Sequence, residues 1–191
     1  MYSGSSDDMP IEVTSRLGPV LRSLHDAIAN AGGDLLPVAF LFKGARYHTI
    51  SPEPGSFRNE SHKQQFFQAI RKKAAKIDAD MGLLAMITHT LELPEKQAEK
   101  FERHKKAGFY GSVGDHPKAR QCLTVQIETR DHQYWIGRAM LEEKVELQAM
   151  AIARVMRLGE FHWNRSAQIG SMLDLVLVTT PRESESQQPR P

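Results

Sequence analysis

The strongest constraint on the fold of this 191-residue chain is a strict alternation of apolar and polar side chains over residues 123–128. The alternating residues are Leu123, Val125 and Ile127 on one side and Thr124, Gln126 and Glu128 on the other. A period of two is typical of a β-strand with one apolar and one polar face. Residues 130–133 have turn chemistry and 134–141 return as a second strand, so the sequence predicts a hairpin over 123–141.

Two longer segments have the spacing of amphipathic helices. Apolar residues recur every three or four positions over 13–31, and Pro19 either kinks that helix or begins a new one. The clearest helix is predicted over 57–80, with an apolar side and a cationic side. Asn59 or Ser61 can cap its first turn through a side-chain oxygen.

The other segments carry shorter patterns. Residues 142–157 stay open, because their composition favours helix while the alternation of Val145, Leu147 and Ala149 permits a strand. The charged segment 94–106 is predicted to be an exposed helix that begins at Pro94. Short strands are predicted at 35–42, 47–50, 83–93, 159–163 and 173–178, and the first two form a hairpin with a glycine-containing turn at 43–46.

These elements predict an α+β fold: a mixed, mostly antiparallel sheet of about five strands with two main helices on one face. A hydrophobic content of 40% and a charged content of 25% fit one domain over 1–180, with a frayed start at 1–10 and a disordered tail at 181–191. No apolar run approaches the ~20 residues of a membrane span, and the polar start lacks a secretion signal. We therefore expect a soluble, cytoplasmic protein without a membrane partner.

Cysteine and histidine usage gives no metal or cofactor signature. Cys122 is the only cysteine, so it is interpreted as a small buried hydrophobe, with an activated nucleophile as the alternative. The eight histidines include no pair at zinc-ligand spacing. His89, in a predicted strand, is the best candidate for a site built from distant residues, but a core histidine bonded to a neighbouring threonine or backbone group is favoured. The glycine patterns of phosphate-binding loops do not occur either. We predict no metal and no cofactor.

One acidic constellation imitates a metal-dependent nuclease. Asp115, Glu128 and Arg130 follow the order of an acid before a strand and an acid-x-lysine triplet on that strand, which in such enzymes bind a divalent cation and position water. Arginine stands at the lysine position and cannot deprotonate to act as a base. Asp115 also fits an ordinary turn, and Glu128 fits the edge of a hairpin whose charges face water.

The predicted helix 57–80 carries a basic stretch. Arg71, Lys72, Lys73 and Lys76 occur within six residues that contain no acid, and such a helix face can follow phosphates. Aromatic residues do not alternate with the cations, as a platform for single strands requires. The net charge of +2 is small, so a solvated helix face is the default interpretation.

The motif HPKAR at 116–120, followed by TVQIETRD at 124–131, resembles a group of small bacterial proteins. Members read HP-x-R and then V-x-V-E-T-R-D-G after a helix and a buried strand, and later carry a Leu-Gly-Glu-Phe-like segment, which 158–161 matches. The likeness covers about 83–161 and departs at His132, where the group has glycine. The resemblance implies a bacterial or phage origin and supports the hairpin. The group has no established activity, so no catalytic residue is implied.

Two functions follow as hypotheses. The first is a non-catalytic binding or accessory module that acts through a protein partner or as a homodimer, since no convincing reactive constellation occurs. The second is a nucleic-acid-binding protein or divergent nuclease, with Arg71, Lys72, Lys73 and Lys76 on phosphates and Asp115, Glu128 and Arg130 as the catalytic set.

Overall fold

The computed structural model describes residues 9–53, 59–148 and 151–166. Its helices are α1 (Ile11–Asn30), α2 (Glu60–Ile77) and α3 (Glu95–Lys106), with a short 3₁₀ turn at Val113–Asp115. Its strands are β1 (Val38–Lys43), β2 (Arg46–Ile50), β3 (Met81–Thr90), β4 (Arg120–Thr129), β5 (Tyr134–Gln148), β6 (Ala151–Leu158) and β7 (His162–Ser166).

The fold is α+β, as predicted. The strand order is β2-β1-β3-β4-β5-β6, and β7 pairs with β5 outside that path. The described residues thus contain three helices and seven strands, where the sequence predicted two main helices and about five strands. No helix among the described residues is long and apolar enough to cross a membrane.

The segment that the sequence left open supplies an extra strand, β6, and lengthens β5. Residues Leu141 to Gln148 of β5 pair antiparallel with Leu158 to Ala151 of β6, so 142–148 and 151–158 form strands and their helix propensity is overridden. Propensity differs by only a few tenths of a kcal/mol per residue between these side chains and strand-formers. A continuous ladder with a partner strand outweighs that difference.

The described chain divides into two compact units, each discontinuous in sequence. The first contains the residues up to Pro37, Ala85–Val125 and Ile136–Arg165. The second contains Val38–Leu84, Gln126–Trp135 and Ser166.

In the first unit α1 packs against β6. The buried side chains of α1 are Val13, Leu17, Val20, Leu24 and Ile28, which is the predicted stripe. Pro19 lies inside this single helix, and the residue before it is Gly18, which has no Cβ to clash with the proline ring. At the end of α1, Gly33 is left-handed (φ 96°), and a Cβ there would lie 2.8 Å from Cγ of Met156. Glycine is therefore required for the turn that follows α1.

In the second unit α2 packs against β1. Its buried residues are Phe66, Phe67, Ile70 and Ala74, and the predicted cap is confirmed because Asn59 Oδ1 accepts the backbone N–H of His62 at 2.8 Å. The hairpin of β1 and β2 is also confirmed, with Gly44 left-handed in its turn.

The hairpin of β4 and β5 is confirmed, but the polar face of β4 differs from the expectation. Thr124 and Glu128 are buried, so this face is not turned wholly to water. In the first unit the hydroxyl of Thr88 on β3 lies 2.6 Å from the Thr124 hydroxyl and 3.2 Å from Sγ of Cys122. A polar side chain can be buried when it finds such partners, and a pattern of alternation does not reveal them.

Several predictions fall on other parts of the chain. The predicted strand 173–178 and the predicted tail 181–191 lie outside the described residues, as do residues 1–8 of the predicted frayed start. Met9, which belongs to that start, is described and buried.

Candidate functional site

The last turn of α3 and the loop after it form an ordered, exposed surface in the first unit. Gly108 is left-handed (φ 81°), its N–H donates to the carbonyl of Lys105, and the N–H of Phe109 donates to the carbonyl of His104, both at 3.0 Å. This pair of bonds is the Schellman motif that ends many helices. A side-chain contact between the residue after the glycine and the residue five positions earlier often accompanies it. Here that contact joins the rings of Phe109 and His104, whose centroids are 5.4 Å apart.

Five rings make contact around this turn, and we call them the ring cluster: Phe101, His104, Phe109, Tyr110 and His116. Tyr110 is at its centre, 5.3 Å from the Phe101 ring, 5.6 Å from His116 and 6.4 Å from His104. Phe101 is the buried base of the cluster, whereas Phe109 is 75% exposed. The cluster therefore rests on the fold at one end and presents a phenyl ring to solvent at the other.

The loop that carries His116 is held by its own hydrogen bonds. Asp115 Oδ2 accepts the N–H of Ser112 at 2.7 Å and closes a capping box at the 3₁₀ turn. His116 Nδ1 accepts the N–H of Lys118 at 3.1 Å, so a neutral His116 carries its proton on Nε2. The Asp115 carboxylate is thus used in the loop, and the histidine ring is oriented against Phe101 and Tyr110.

His89 also packs on this loop. A Cβ at Gly114 would lie 3.0 Å from Nδ1 of His89, which means that the imidazole covers the glycine backbone. His89 is exposed and does not belong to the core, in contrast to the favoured interpretation of the sequence. Among the residues that the structure describes, no group of three or more His, Cys, Asp or Glu side chains could hold a metal ion.

The net charge around the ring cluster is positive. Residues 103–120 contain five cations and one carboxylate, that of Asp115, and Glu102 adds a second, exposed carboxylate next to Phe101. The cations are all exposed: Arg103, Lys105, Lys106, Lys118 and Arg120. Because the whole chain has a formal charge of only +2, this segment is a local concentration of positive charge.

The basic stretch predicted on α2 belongs to the second unit. Lys72 and Lys76 are exposed, while Arg71 and Lys73 are half-buried. Arg71 Nε is buried without a hydrogen-bond partner among the described residues. The four cations thus share the C-terminal half of one helix but do not present a uniformly exposed row.

Arg130 of the predicted nuclease set is committed to the end of α2 in the second unit. Its Nη2 donates to the carbonyl of Asp78 at 2.8 Å, to the Asp78 carboxylate at 2.5 Å and to the carbonyl of Ala79 at 2.7 Å. Asp78 also pairs with Lys43. The hydrogen bonds from Lys43 and Arg130 lower the pKa of Asp78 below its ordinary value of 3.8. We call these three side chains the Asp78 hub.

Glu128 has a different environment from the other members of that set. It is fully buried, and Oε1 accepts the Tyr134 hydroxyl at 3.2 Å. The same hydroxyl lies 3.4 Å from Nδ1 of His132. Asp115, Glu128 and Arg130 therefore each have structural contacts of their own: a loop cap, a half-buried tyrosine and the Asp78 hub. Cys122 is buried beside the hydroxyls of Thr88 and Thr124, as its interpretation as a small buried residue implies.

Comparison with protein-family models, with curated proteins and with solved structures gave no match. The ring cluster is the site that sequence reasoning missed. One of its signals is local, because the order Gly108-Phe109 after a helix is the Schellman pattern with its hydrophobic residue. The others are not, because Tyr110 and His116 reach Phe101 only when the loop folds back on α3.

Proposed function

We propose that this protein is a non-catalytic binding module and that it contacts its partner through the ring cluster. The observation that carries the proposal is Phe109, a large apolar ring that is 75% exposed, whose backbone is held by the helix end and whose ring lies against that of His104. Aromatic residues are enriched at contact surfaces, where they bury a large apolar area. Because the backbone at Phe109 is already held, binding has to order only the side chain, which limits the cost in conformational entropy.

The reactive side chains elsewhere in the described residues favour a binding function over a catalytic one. Arg130 is held by the Asp78 hub, Asp115 caps a turn, and Cys122 is buried beside two hydroxyls. Each of these side chains stabilises local structure in the described residues. A protein or a second copy of the chain, the partner classes expected from the sequence, is one outcome of the test below.

The test is site-specific photo-crosslinking in the cells that make the protein. A photoreactive phenylalanine analogue is placed at position 109 of the full chain and, as the control, at Tyr47, an exposed aromatic of the second unit. We expect an adduct from position 109 that is absent from position 47. The adduct is then classified by its mass and by its sensitivity to protease and nuclease. The absence of any adduct at 109 above the control would overturn the proposal.

A further inference from the structure

We propose that the partner of the ring cluster is a single-stranded nucleic acid, with a base stacked on Phe109 and phosphates on the surrounding cations. This inference rests on the binding function proposed above and names the chemistry of its ligand. It also transfers the nucleic-acid hypothesis from α2 to a different surface, the end of α3.

The rings supply the first half of the argument. Phe109 is exposed and is backed by the His104 imidazole at 5.4 Å, which in turn lies 6.4 Å from Tyr110 at an interplanar angle of 30°. Any base can stack on such a ring, because every base has a π face. The stacking costs little conformational entropy, because the backbone that carries the ring does not have to be ordered first. A base inside a duplex cannot make this contact, since both of its faces are already stacked.

The charges supply the second half. Lys105 and Lys106 lie between His104 and Phe109 in the chain, and Lys118 is joined through its backbone N–H to His116 of the cluster. The single carboxylate of the segment accepts the Ser112 N–H at 2.7 Å. Cations that alternate with stackable rings are the pattern of single-strand-binding grooves. The sequence alone placed no aromatic residue among the cations of α2, and the structure has that combination at the end of α3.

A protein interface fits this surface less well. Interface cores are depleted in lysine, and rings of an apolar hot spot are surrounded by residues that exclude water. Around Phe109 the exposed side chains include Lys105 and Lys106, which are strongly hydrated. Such cations neutralise phosphates and release the counterions condensed on a nucleic acid, and this favours a nucleic acid as the partner.

The test is fluorescence anisotropy of labelled oligo(dT) and oligo(U) of about 16 nucleotides, the upper end of a small fold's footprint. A duplex of the same length serves as the competitor. The full chain is titrated at about 50 mM and about 200 mM salt, because an affinity that depends on phosphate contacts falls steeply between these concentrations. We expect both single strands to bind, the duplex to compete poorly, and the affinity to fall with salt. The ratio between oligo(dT) and oligo(U) shows whether the 2′-hydroxyl contributes.

Three variants assign the contacts. Phe109→Ala is expected to weaken binding about ten- to hundredfold at either salt concentration, and Phe109→Trp to restore it. Lys105→Gln with Lys106→Gln is expected to lower the salt dependence by about the equivalent of two phosphate contacts. The matched controls are Tyr47→Ala, and Lys72→Gln with Lys73→Gln on α2, which should leave the affinity within about twofold.

The outcomes separate the two proposals. Loss of binding in the α2 double variant with full binding by Phe109→Ala would overturn this inference in favour of the α2 helix. Absence of oligonucleotide binding even at low salt would overturn it entirely, as would equal competition by the duplex. If position 109 then still crosslinks to a protein or to a second copy of the chain, the binding function stands and only the nucleic acid is excluded.

Discussion

Helices α2 and α3 both end in a left-handed residue followed by a residue whose N–H closes the last turn, yet the two ends differ in what surrounds them. At α2 the left-handed residue is Asp78 (φ 52°) and the next is Ala79, which is 4% exposed. At α3 the corresponding residues are Gly108 (φ 81°) and Phe109, which is 75% exposed. One backbone motif therefore serves a packed junction in the second unit and an open surface in the first.

The difference lies in how the charged side chains are paired and not in which charges are present. Both ends have cations and a carboxylate, but at α2 the Asp78 carboxylate accepts hydrogen bonds from Lys43 and Arg130. Those contacts hold Asp78 in the left-handed conformation, which is unfavourable for a residue with a Cβ. At α3 the glycine needs no such support, and a Cβ there would meet nothing within 4 Å. Positive charge indicates a contact surface only where its own chain does not already neutralise it.

Among variants of the two helix ends, the largest effect is expected from changing the size of the residue that follows the left-handed residue. Ala79→Phe places a ring at a position that is 4% exposed, so overpacking should lower the free energy of unfolding by about 1–3 kcal/mol. Urea unfolding of the variant and the wild type measures this loss. Ala79→Ser is the control, since it keeps the volume nearly constant. A cost below about 0.5 kcal/mol for Ala79→Phe would mean that the α2 end has room, and the contrast with α3 would disappear.

A smaller effect is expected from the left-handed glycine of α3. Gly108→Ala should cost about 1–2 kcal/mol in the free energy of unfolding, because the added Cβ is strained by the backbone and by nothing else. Gly108→Asn should cost less, since asparagine tolerates this conformation. Urea unfolding again measures both. Equal costs for the two variants would show that the penalty is not conformational.

The Asp78 hub predicts a stability difference that depends on pH. The pKa of Asp78 is lowered in the folded state by Lys43 and then Arg130, so its contribution is present above the unfolded value near 3.8 and is lost as the pH falls through the folded value. Asp78→Asn keeps a residue that tolerates the left-handed conformation but removes the charge. Its urea midpoint should lie below that of the wild type at neutral pH.

The two midpoints of that experiment should converge as the pH falls below the ordinary aspartate value. Both proteins are titrated with urea at several pH values between about 7 and about 2.5, which brackets the ordinary aspartate pKa. Asp34→Asn, the same substitution at an exposed aspartate outside the hub, is the control. A constant difference over this range would show that Asp78 acts through its shape and not through its charge.

The sequence predicts those features that are encoded by near neighbours. The Asn59 cap, the apolar stripe of α1, the glycine turn between β1 and β2 and the hairpin of β4 and β5 all follow from periods and local residue chemistry. The left-handed residue His132 (φ 58°) in the turn between β4 and β5 was not predicted, because the turn lacks the glycine that adopts this conformation without strain.

The remaining features depend on residues that are far apart in the chain. Arg130 reaches the carbonyl of Asp78, 52 positions earlier, and Thr88 reaches Thr124 across two strands. The β5–β6 pairing decides the structure of 142–148 and 151–158 in the same way. Such contacts determine the role of a residue: Arg130, the arginine of an apparent catalytic triplet, is a structural member of the Asp78 hub. The Gly108-Phe109 signal was local, but its significance depends on Phe109 remaining exposed.

The smallest effect on stability is expected for Phe109→Ala. The comparison of the open α3 end with the packed α2 end requires this effect to be small. The ring is 75% exposed, so its removal should change the free energy of unfolding by no more than about 0.5 kcal/mol, chiefly through the lost contact with His104. Urea unfolding measures this on the same variant that is titrated with oligonucleotides. Phe101→Ala, at the buried base of the ring cluster, is the contrasting variant and should cost about 3 kcal/mol or more. A loss above about 1 kcal/mol for Phe109→Ala would assign the ring to the stability of the fold, as at Ala79. A small loss of stability combined with weakened binding assigns the ring to the contact with a partner, because its removal then lowers the free energy of binding much more than the free energy of unfolding.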